Sequence, residues 1–368
     1  MTPLEPEELT RYSRQLMLPG FGPAAQAALK AASVVIVGMG GLGCPVATYL
    51  AAAGVGQLTL IDHDTVDMTN LHRQVLYTPA DAGRPKVQAA AQRLSLFDPN
   101  LKLITEERRL AKGDAWFDEV LSEADVVVDG TDNFPTRYAV NAAAVARRIP
   151  LSYGSVYRYT GEVSTFLVHD GPCYACLHAV APPPGTTPNC AEGGVLGVLP
   201  GMVGMLQATE VLKLLAGLGR PLSGRLLSLD VRRAPSFREW RFQRRPDCHV
   251  CGNGTLAESP SEVGPGVPEV SLLEYRQRLA QRGYLLVDIR SPEELTFGAL
   301  RGSAPHHGEQ LEAFLQQGPR PAVFACKGGG RSGALVARLQ AQGWNQALSL
   351  AGSWKEWGQA EGESLIPY

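Results

Sequence analysis

Residues 33–64, SVVIVGMGGLGCPVATYLAAAGVGQLTLIDHD, constrain the fold more than any other part of the chain. Val34–Val37 is β-branched and continuously apolar, the pattern of a parallel strand buried on both faces. Gly38-Met39-Gly40-Gly41-Leu42-Gly43 follows and fits G-x-G-x-x-G. A helix is expected from about Pro45 to Ala53, then a second strand over Leu58–Ile61 that ends at Asp62. Glycines let the backbone approach a phosphate, and a helix N-terminus favours its charge. An acid about 20 residues further on can bind a ribose hydroxyl. No charge occurs between Ala31 and Ile61, yet the glycines and Pro45 interrupt the run too often for a membrane span. GGVLGVLPGMVGMLQATEVLKLLAGLG reads likewise as a buried helix, entered near Pro200 and stopped by Gly217. ADVVVDGTDN is another buried strand, so that Asp62, Asp64, Asp129 and Asp132 all fall at strand ends, where open α/β sheets bind ligands.

A chain of 368 residues has room for two or three domains. Its 45% hydrophobic and 19% charged residues suit a soluble globular protein. The net charge of -2 argues against nucleic-acid binding through bulk charge. The opening MTPLEPEELTRYSRQ is acidic and polar, unlike a signal or transit peptide, so a cytoplasmic location is expected, with neither a membrane nor a nucleic acid as partner. Gly, Pro, Ser and acids dominate from Gly252 to about Val270, without apolar periodicity. The expected organisation is a nucleotide-binding unit over residues 1–252, a linker over 253–269 and a small α/β unit over 270–368. In the last, YLLVDIR and PAVFACKGGG are strands, and RSGALVARLQAQGW is the helix after the second.

Six of the seven cysteines fall into three chemical settings. Cys173/Cys176 and Cys248/Cys251 form two C-x-x-C pairs separated by a long insert, which suits four thiolates around a structural Zn²⁺. Two redox or free-thiol pairs are the alternative. Cys190 follows APPPGTTPN, a Pro/Gly-rich segment, where a thiol can swing towards an activated acyl group. Cys326 opens the loop CKGGGRS, whose backbone N–H groups, Lys327 and following helix should favour a thiolate. Cys44, directly after the glycine turn, is assigned to the core.

Downstream of Asp62, DHDTVDMTNLHRQVLY carries Asn70, Arg73 and Gln74, and Lys86 opens a helical stretch. Arg and Lys beside a phosphate site can neutralise a departing pyrophosphate, and Asp132 is suited to Mg²⁺. RYSRQ, GMGGLG, NLHRQ, GRPK and DGTDN together resemble the ubiquitin-activating-enzyme-like adenylyltransferases of the MoeB and ThiF type, over about residues 7–250. The resemblance implies that ATP activates the C-terminal glycine of a ubiquitin-like sulfur carrier protein as an acyl adenylate. It implies ATP contacts from Gly38, Gly40, Gly41 and Gly43, with Asp62 on the ribose. Asn70, Arg73 and Lys86 would meet the triphosphate and Asp132 its Mg²⁺, with Gln74 and Asn133 among the other ATP contacts. Arg14 in RYSRQ would reach the ATP site of a partner subunit, since the family is usually dimeric. The resemblance also supports zinc on the four cysteines and a catalytic role for Cys190 in NCAEGGVLGV.

The loop C-x-x-x-x-R, Cys326 to Arg331, resembles that of rhodanese-like sulfurtransferases. VDIRSPEELTFGALRGSAP resembles the same family's motif through Asp288, Arg290, Glu294, Gly298 and Gly302, and departs from it at Ala299 and Arg301. LAGSWKEW resembles its terminal motif imperfectly. The fold class expected is thus α/β: a Rossmann-like mixed-sheet adenylation domain with a zinc site, followed by a small rhodanese-like domain. The joint resemblance implies adenylation of a carrier ending in Gly-Gly and sulfur transfer to it from a persulfide on Cys326, with Arg331 in the catalytic loop and a cysteine desulfurase as the kind of donor. It implies a product that feeds molybdopterin, thiamine, cysteine or tRNA-sulfur pathways. Two other readings stand beside this one, a zinc-containing nicotinamide oxidoreductase and a non-catalytic platform that binds the carrier.

Overall fold

The computed structural model describes residues 4–111, 113–182, 193–232, 236–253 and 267–361. They divide into two compact units, one within residues 1–181 and 194–257, the other within 258–368. The first unit is built on eight strands: β1 (Ser33–Val37), β2 (Gln57–Ile61), β3 (Lys102–Glu106), β4 (Val126–Asp129), β5 (Leu151–Tyr157), β6 (Thr160–Phe166), β7 (Arg225–Asp230) and β8 (Ser236–Arg241). Their order is β3-β2-β1-β4-β5-β6-β7-β8. The strands from β3 to β5 run parallel, and β5 to β8 continue as antiparallel neighbours. This is a mixed sheet whose parallel half is covered on both faces.

The double cover explains the unbroken apolar run in β1. Successive side chains of a strand point to opposite faces. Val34 and Ile36 pack with Leu50, Leu58 and Leu60 on one face, while Val35 and Val37 pack with Phe117, Val127 and Val140 on the other. Each such fully buried side chain contributes about 1.5–3 kcal/mol. The helix after the glycine turn runs Gly43–Ala53, starting two residues ahead of the expected Pro45, a difference within the fraying of helix ends. It stops at Gly54, which adopts φ +87°. The long apolar helix is Val198–Ala216, ended by Gly217 at φ +66°. It alone among the described residues is long and apolar enough to cross a membrane. Leu199, Val203, Ala208 and Val211 bury it against the helix Gly43–Ala53 and strands β5 and β6. Gly204 permits the approach: a Cβ there would lie 2.5 Å from Pro45 Cγ.

The second unit is a five-stranded parallel sheet of β9 (Glu269–Val270), β10 (Leu285–Asp288), β11 (Ser303–Pro305), β12 (Ala322–Ala325) and β13 (Ala347–Leu350), in the order β11-β10-β12-β13-β9. The sequence places the end of the linker at residue 269, whereas Glu269 already pairs with Ser349. A two-residue edge strand held by backbone hydrogen bonds leaves no periodic trace in sequence.

Candidate active site

The glycine turn sits where β1 meets β4. Gly38 takes φ +90°, and a Cβ on it would lie 2.8 Å from the Gly130 carbonyl carbon. Gly43 is tighter still, since its Cβ would fall 1.9 Å from Gly38 O. These two positions admit only glycine. Asp62 closes the turn: Oδ2 accepts the Met39 N–H at 2.7 Å and Oδ1 the Asp64 N–H at 2.8 Å. Tyr77 donates its hydroxyl to Met39 O at 2.9 Å.

Arg73 and Gln74 lean on this turn. A Cβ on Gly41 would come within 3.6 Å of Arg73 Cγ, and one on Gly40 within 3.6 Å of Gln74 Nε2. The Arg73 guanidinium donates to Asn70 Oδ1 at 2.6 Å and Thr69 O at 3.3 Å. Gln74 is buried, and its Oε1 has no hydrogen-bond partner among the described residues. Lys86, at the first turn of the helix Lys86–Leu94, is buried and donates Nζ to Asp64 Oδ2 at 2.8 Å. Burial pushes the Asp64 carboxyl up, but the hydrogen bond and charge of Lys86 outweigh it and hold the group below the usual carboxylate range. Cys44 belongs to the core: it is fully buried, and desolvation pushes its thiol up to about 12 despite the helix N-terminus.

The next strand end carries the DGTDN turn. Asp129 is buried, with Oδ1 accepting Thr131 N at 2.9 Å and Thr131 Oγ1 at 2.7 Å. Burial pushes its carboxyl up, against the Arg137 charge. Asp132 is exposed. Asn133 caps the helix Phe134–Arg147, its Oδ1 accepting Thr136 N at 3.0 Å. Arg14 is exposed on the helix Ser13–Leu16.

Cys173, Cys176, Cys248 and Cys251 are buried with their sulfurs all within 4.8 Å of one another. Cys173 and Cys176 lie 4.0 Å apart, Cys173 and Cys248 3.7 Å, and Cys176 and Cys251 3.4 Å. Four thiolates held tetrahedrally at the usual Zn–S length lie about 3.8 Å apart, so the set fits zinc. Asn141 Nδ2 donates to Cys173 Sγ at 3.7 Å and the Arg245 N–H to Cys176 Sγ at 3.4 Å, contacts that orient thiolate ligands. Asp62, His63 and Asp64 form the other grouping of three or more metal-capable side chains among the described residues, and Asp132 belongs to neither.

In the second unit Cys326 follows β12, and the helix Gly330–Ala341 begins four residues later. Gly329 caps that helix at φ +81°. The thiol is 0% exposed; it accepts the Ser332 N–H at 3.4 Å and lies 3.5 Å from the Ser332 hydroxyl, which donates to Gly329 O. Arg331 is held by Glu294 through two bonds of 2.8 and 2.6 Å. Burial pushes the Glu294 carboxyl up, but Arg331 and the Ser291 N–H more than offset it and hold the group low. Beneath, Asp288 and Arg290 form a buried ion pair at 2.8 Å, with the guanidinium 3.5 Å from the centre of the Trp354 ring. A cavity of about 670 Å³ beside the loop is lined by Gly328, Gly329, Gly330 and Gly333 together with Gly352, Ser353 and Glu356.

The ThiF family model matches residues 12–250, and the rhodanese-like domain model matches residues 271–360. The chain belongs to the ThiF family and carries a rhodanese-like domain. Its sequence is 50% identical over 252 residues to the sulfur carrier protein adenylyltransferase of Thermus thermophilus, covering 67% of this chain and 92% of that protein. It is 39% identical over 377 residues to the adenylyltransferase and sulfurtransferase MOCS3 of Danio rerio, covering 92% of this chain and 82% of that one. The crystal structure of E. coli MccB with MccA-N7isoASN superposes with a TM-score of 0.59 at 26% identity, covering 66% of this chain and 75% of MccB.

In this ThiF-family chain the structure brings Asp62, Asn70, Arg73, Gln74 and Lys86 to the strand ends around the glycine turn. Cys190 lies outside the described residues. Three residues carry contacts that the sequence does not announce. Asp64, legible at a strand end, is the ion-pair partner of Lys86. Glu294, legible in a motif, clamps Arg331. Arg137 has one local signal, its spacing of four residues from the helix cap Asn133, which returns it to the same turn.

Proposed function

We propose that this chain uses ATP to adenylate the C-terminal glycine of a ubiquitin-like sulfur carrier protein, and then transfers sulfur to it from a persulfide on Cys326. The observation that carries the reading is the presence on one chain of a nucleotide turn flanked by Arg73 and Lys86 and of a rhodanese-like loop around Cys326. The carrier's terminal carboxylate attacks the α-phosphorus of ATP, pyrophosphate leaves, and an acyl adenylate forms. Arg73 and Lys86 are assigned to the charge that builds on the departing phosphates, where fixed cations act most strongly. The ribose falls to Asp62, Mg²⁺ to Asp132, and the remaining contacts to Gly41, Asn70, Gln74 and Asn133. Arg14 is assigned to the nucleotide site of a second copy, so the working form is a homodimer.

The outer sulfur of a Cys326 persulfide then attacks the acyl carbon, and AMP leaves with the bonding pair. The resulting acyl disulfide is opened by a second thiol, for which Cys190 is the candidate in this chain. That thiol attacks the Cys326 sulfur, the thiocarboxylate departs, and a disulfide remains at Cys326. A donor such as a cysteine desulfurase reloads Cys326 once that disulfide is reduced by a cellular thiol. Chemistry of this kind belongs to the reducing cytoplasm.

The test is carrier-dependent ATP–pyrophosphate exchange with Mg²⁺ and a carrier ending in Gly-Gly. Exchange is expected with the intact carrier and is expected to vanish when the last glycine is removed. Exchange indifferent to that glycine would refute carrier adenylation.

Zinc on Cys173, Cys176, Cys248 and Cys251 would supply cohesion rather than chemistry, because four thiolates leave no open position. Metal analysis should return one equivalent of zinc per chain. Cys176→Ser is expected to lose it and to lower the Tm of the first unit by about 10 °C. A metal-free protein of unchanged Tm would remove zinc from the account.

A further inference from the structure

Arg137 is buried to 6% exposure in the first unit, and none of the roles assigned above uses it. It sits on the helix Phe134–Arg147, whose cap, Asn133, directly follows Asp132. Its Nη2 donates back to Thr131 O at 3.0 Å, and its Nη1 to Ser155 Oγ on β5 at 3.2 Å. The guanidinium lies 5.6 Å from the Phe134 ring centre and 5.5 Å from that of Tyr153. A planar, rigid fork between two rings, bonded at both ends, has one orientation.

Other buried side chains secure the same turn. Asp129 accepts both the N–H and the hydroxyl of Thr131. Gln207, fully buried on the helix Val198–Ala216, donates Nε2 to Asp129 O at 2.8 Å. Gly154 on β5 makes room for it, since a Cβ there would lie 2.4 Å from Gln207 Cδ. At the far side Asn141, one turn beyond Arg137, accepts Tyr174 N at 2.8 Å and donates to Cys173 Sγ. The residue just after Thr131 is the exposed carboxylate Asp132. A buried charge costs several kcal/mol to desolvate, and a surface turn could be closed without one. What this arginine adds is a fixed direction for the Thr131 carbonyl, and with it the backbone that carries Asp132.

We propose that Arg137 is a positioning residue for adenylation, which holds the Thr131–Asn133 turn so that Asp132 presents its carboxylate to the divalent cation of ATP. The inference rests on the assignment of Asp132 to Mg²⁺ made above, and its test separates the two. Pyrophosphate exchange is measured against Mg²⁺ concentration for Asp132→Asn, Arg137→Lys and Ser155→Ala in the full chain, with Tm for each. Asp132→Asn is expected to raise the Mg²⁺ concentration for half-maximal exchange at least about tenfold. Arg137→Lys keeps the charge but loses the fork, and is expected to raise it about fivefold while the rate at saturating Mg²⁺ stays within about twofold of the parent. Ser155→Ala removes one tether and leaves the arginine, so it should fold normally and shift the midpoint about twofold. It carries the test should Arg137→Lys prove unstable. An Arg137→Lys or Ser155→Ala enzyme that is slower at every Mg²⁺ concentration, with an unmoved midpoint, would reduce Arg137 to a structural residue. An unmoved midpoint in Asp132→Asn would instead overturn the Mg²⁺ assignment, and the inference with it.

Discussion

Cys326→Ala is expected to cut thiocarboxylate formation by at least about 10³-fold while leaving pyrophosphate exchange within about twofold of the parent. The size follows from chemistry. Without the sulfur of residue 326 there is no persulfide, and a neighbouring serine hydroxyl cannot carry one. The selectivity follows from the division of the chain, since Cys326 belongs to a unit with its own sheet and core. The substitution is also mild. Cys326 is fully buried at the end of β12, and alanine removes one sulfur that accepts the Ser332 N–H. The Glu294–Arg331 pair and the Asp288–Arg290 pair are untouched. The measurement is mass spectrometry of the carrier after incubation with ATP and one persulfide donor, beside the exchange assay. Undiminished thiocarboxylate from that variant and donor would sink the sulfur role of Cys326.

Arg73→Ala is expected to have the opposite profile, losing about 10²–10³-fold in pyrophosphate exchange and nothing in persulfide turnover at Cys326. The side chain lies against Gly41, where no Cβ intervenes, and Asn70 holds its guanidinium. A cation fixed before the reaction needs no reorganisation as charge develops, which is the source of the expected loss. Arg73→Lys should recover only part of it, because an ammonium cannot keep the fork that Asn70 and Thr69 hold. Exchange at the parent rate in Arg73→Ala would refute the role.

The elements that could be read from sequence are those whose cause is local. The strand over Val34–Val37 follows from burial on both faces, and the glycine turn from backbone contacts that leave no room for a Cβ. The stop at Gly217 follows from a left-handed backbone. The four cysteines were legible because thiolate ligands come in short-range pairs. What escaped depends on residues distant in sequence or on geometry without periodicity. The Glu294–Arg331 pair joins positions 37 apart. Lys86 is legible as a phosphate-side cation, but its ion-pair partner, Asp64, lies 22 residues away across the turn. Burial of Arg137 depends on Tyr153 and Ser155 from β5, which no local pattern announces.

The cysteine cluster has a consequence for the order in which the first unit comes apart. Cys173 and Cys248 are 75 residues apart, and between them lie the helix Val198–Ala216 and the last two strands at one edge of the sheet, β7 and β8. β8 is exposed at all six positions and has a neighbour on one side only, so by itself it would be the first strand to fray. With zinc on the four thiols this stretch becomes a closed loop rather than a tail. Closing a loop of that length removes roughly 4–5 kcal/mol of chain entropy from the open state. Amide hydrogens of β7 and β8 should then exchange with solvent at rates set by the metal, and chelation should release that edge of the sheet while the amides of β1 and β4 stay protected.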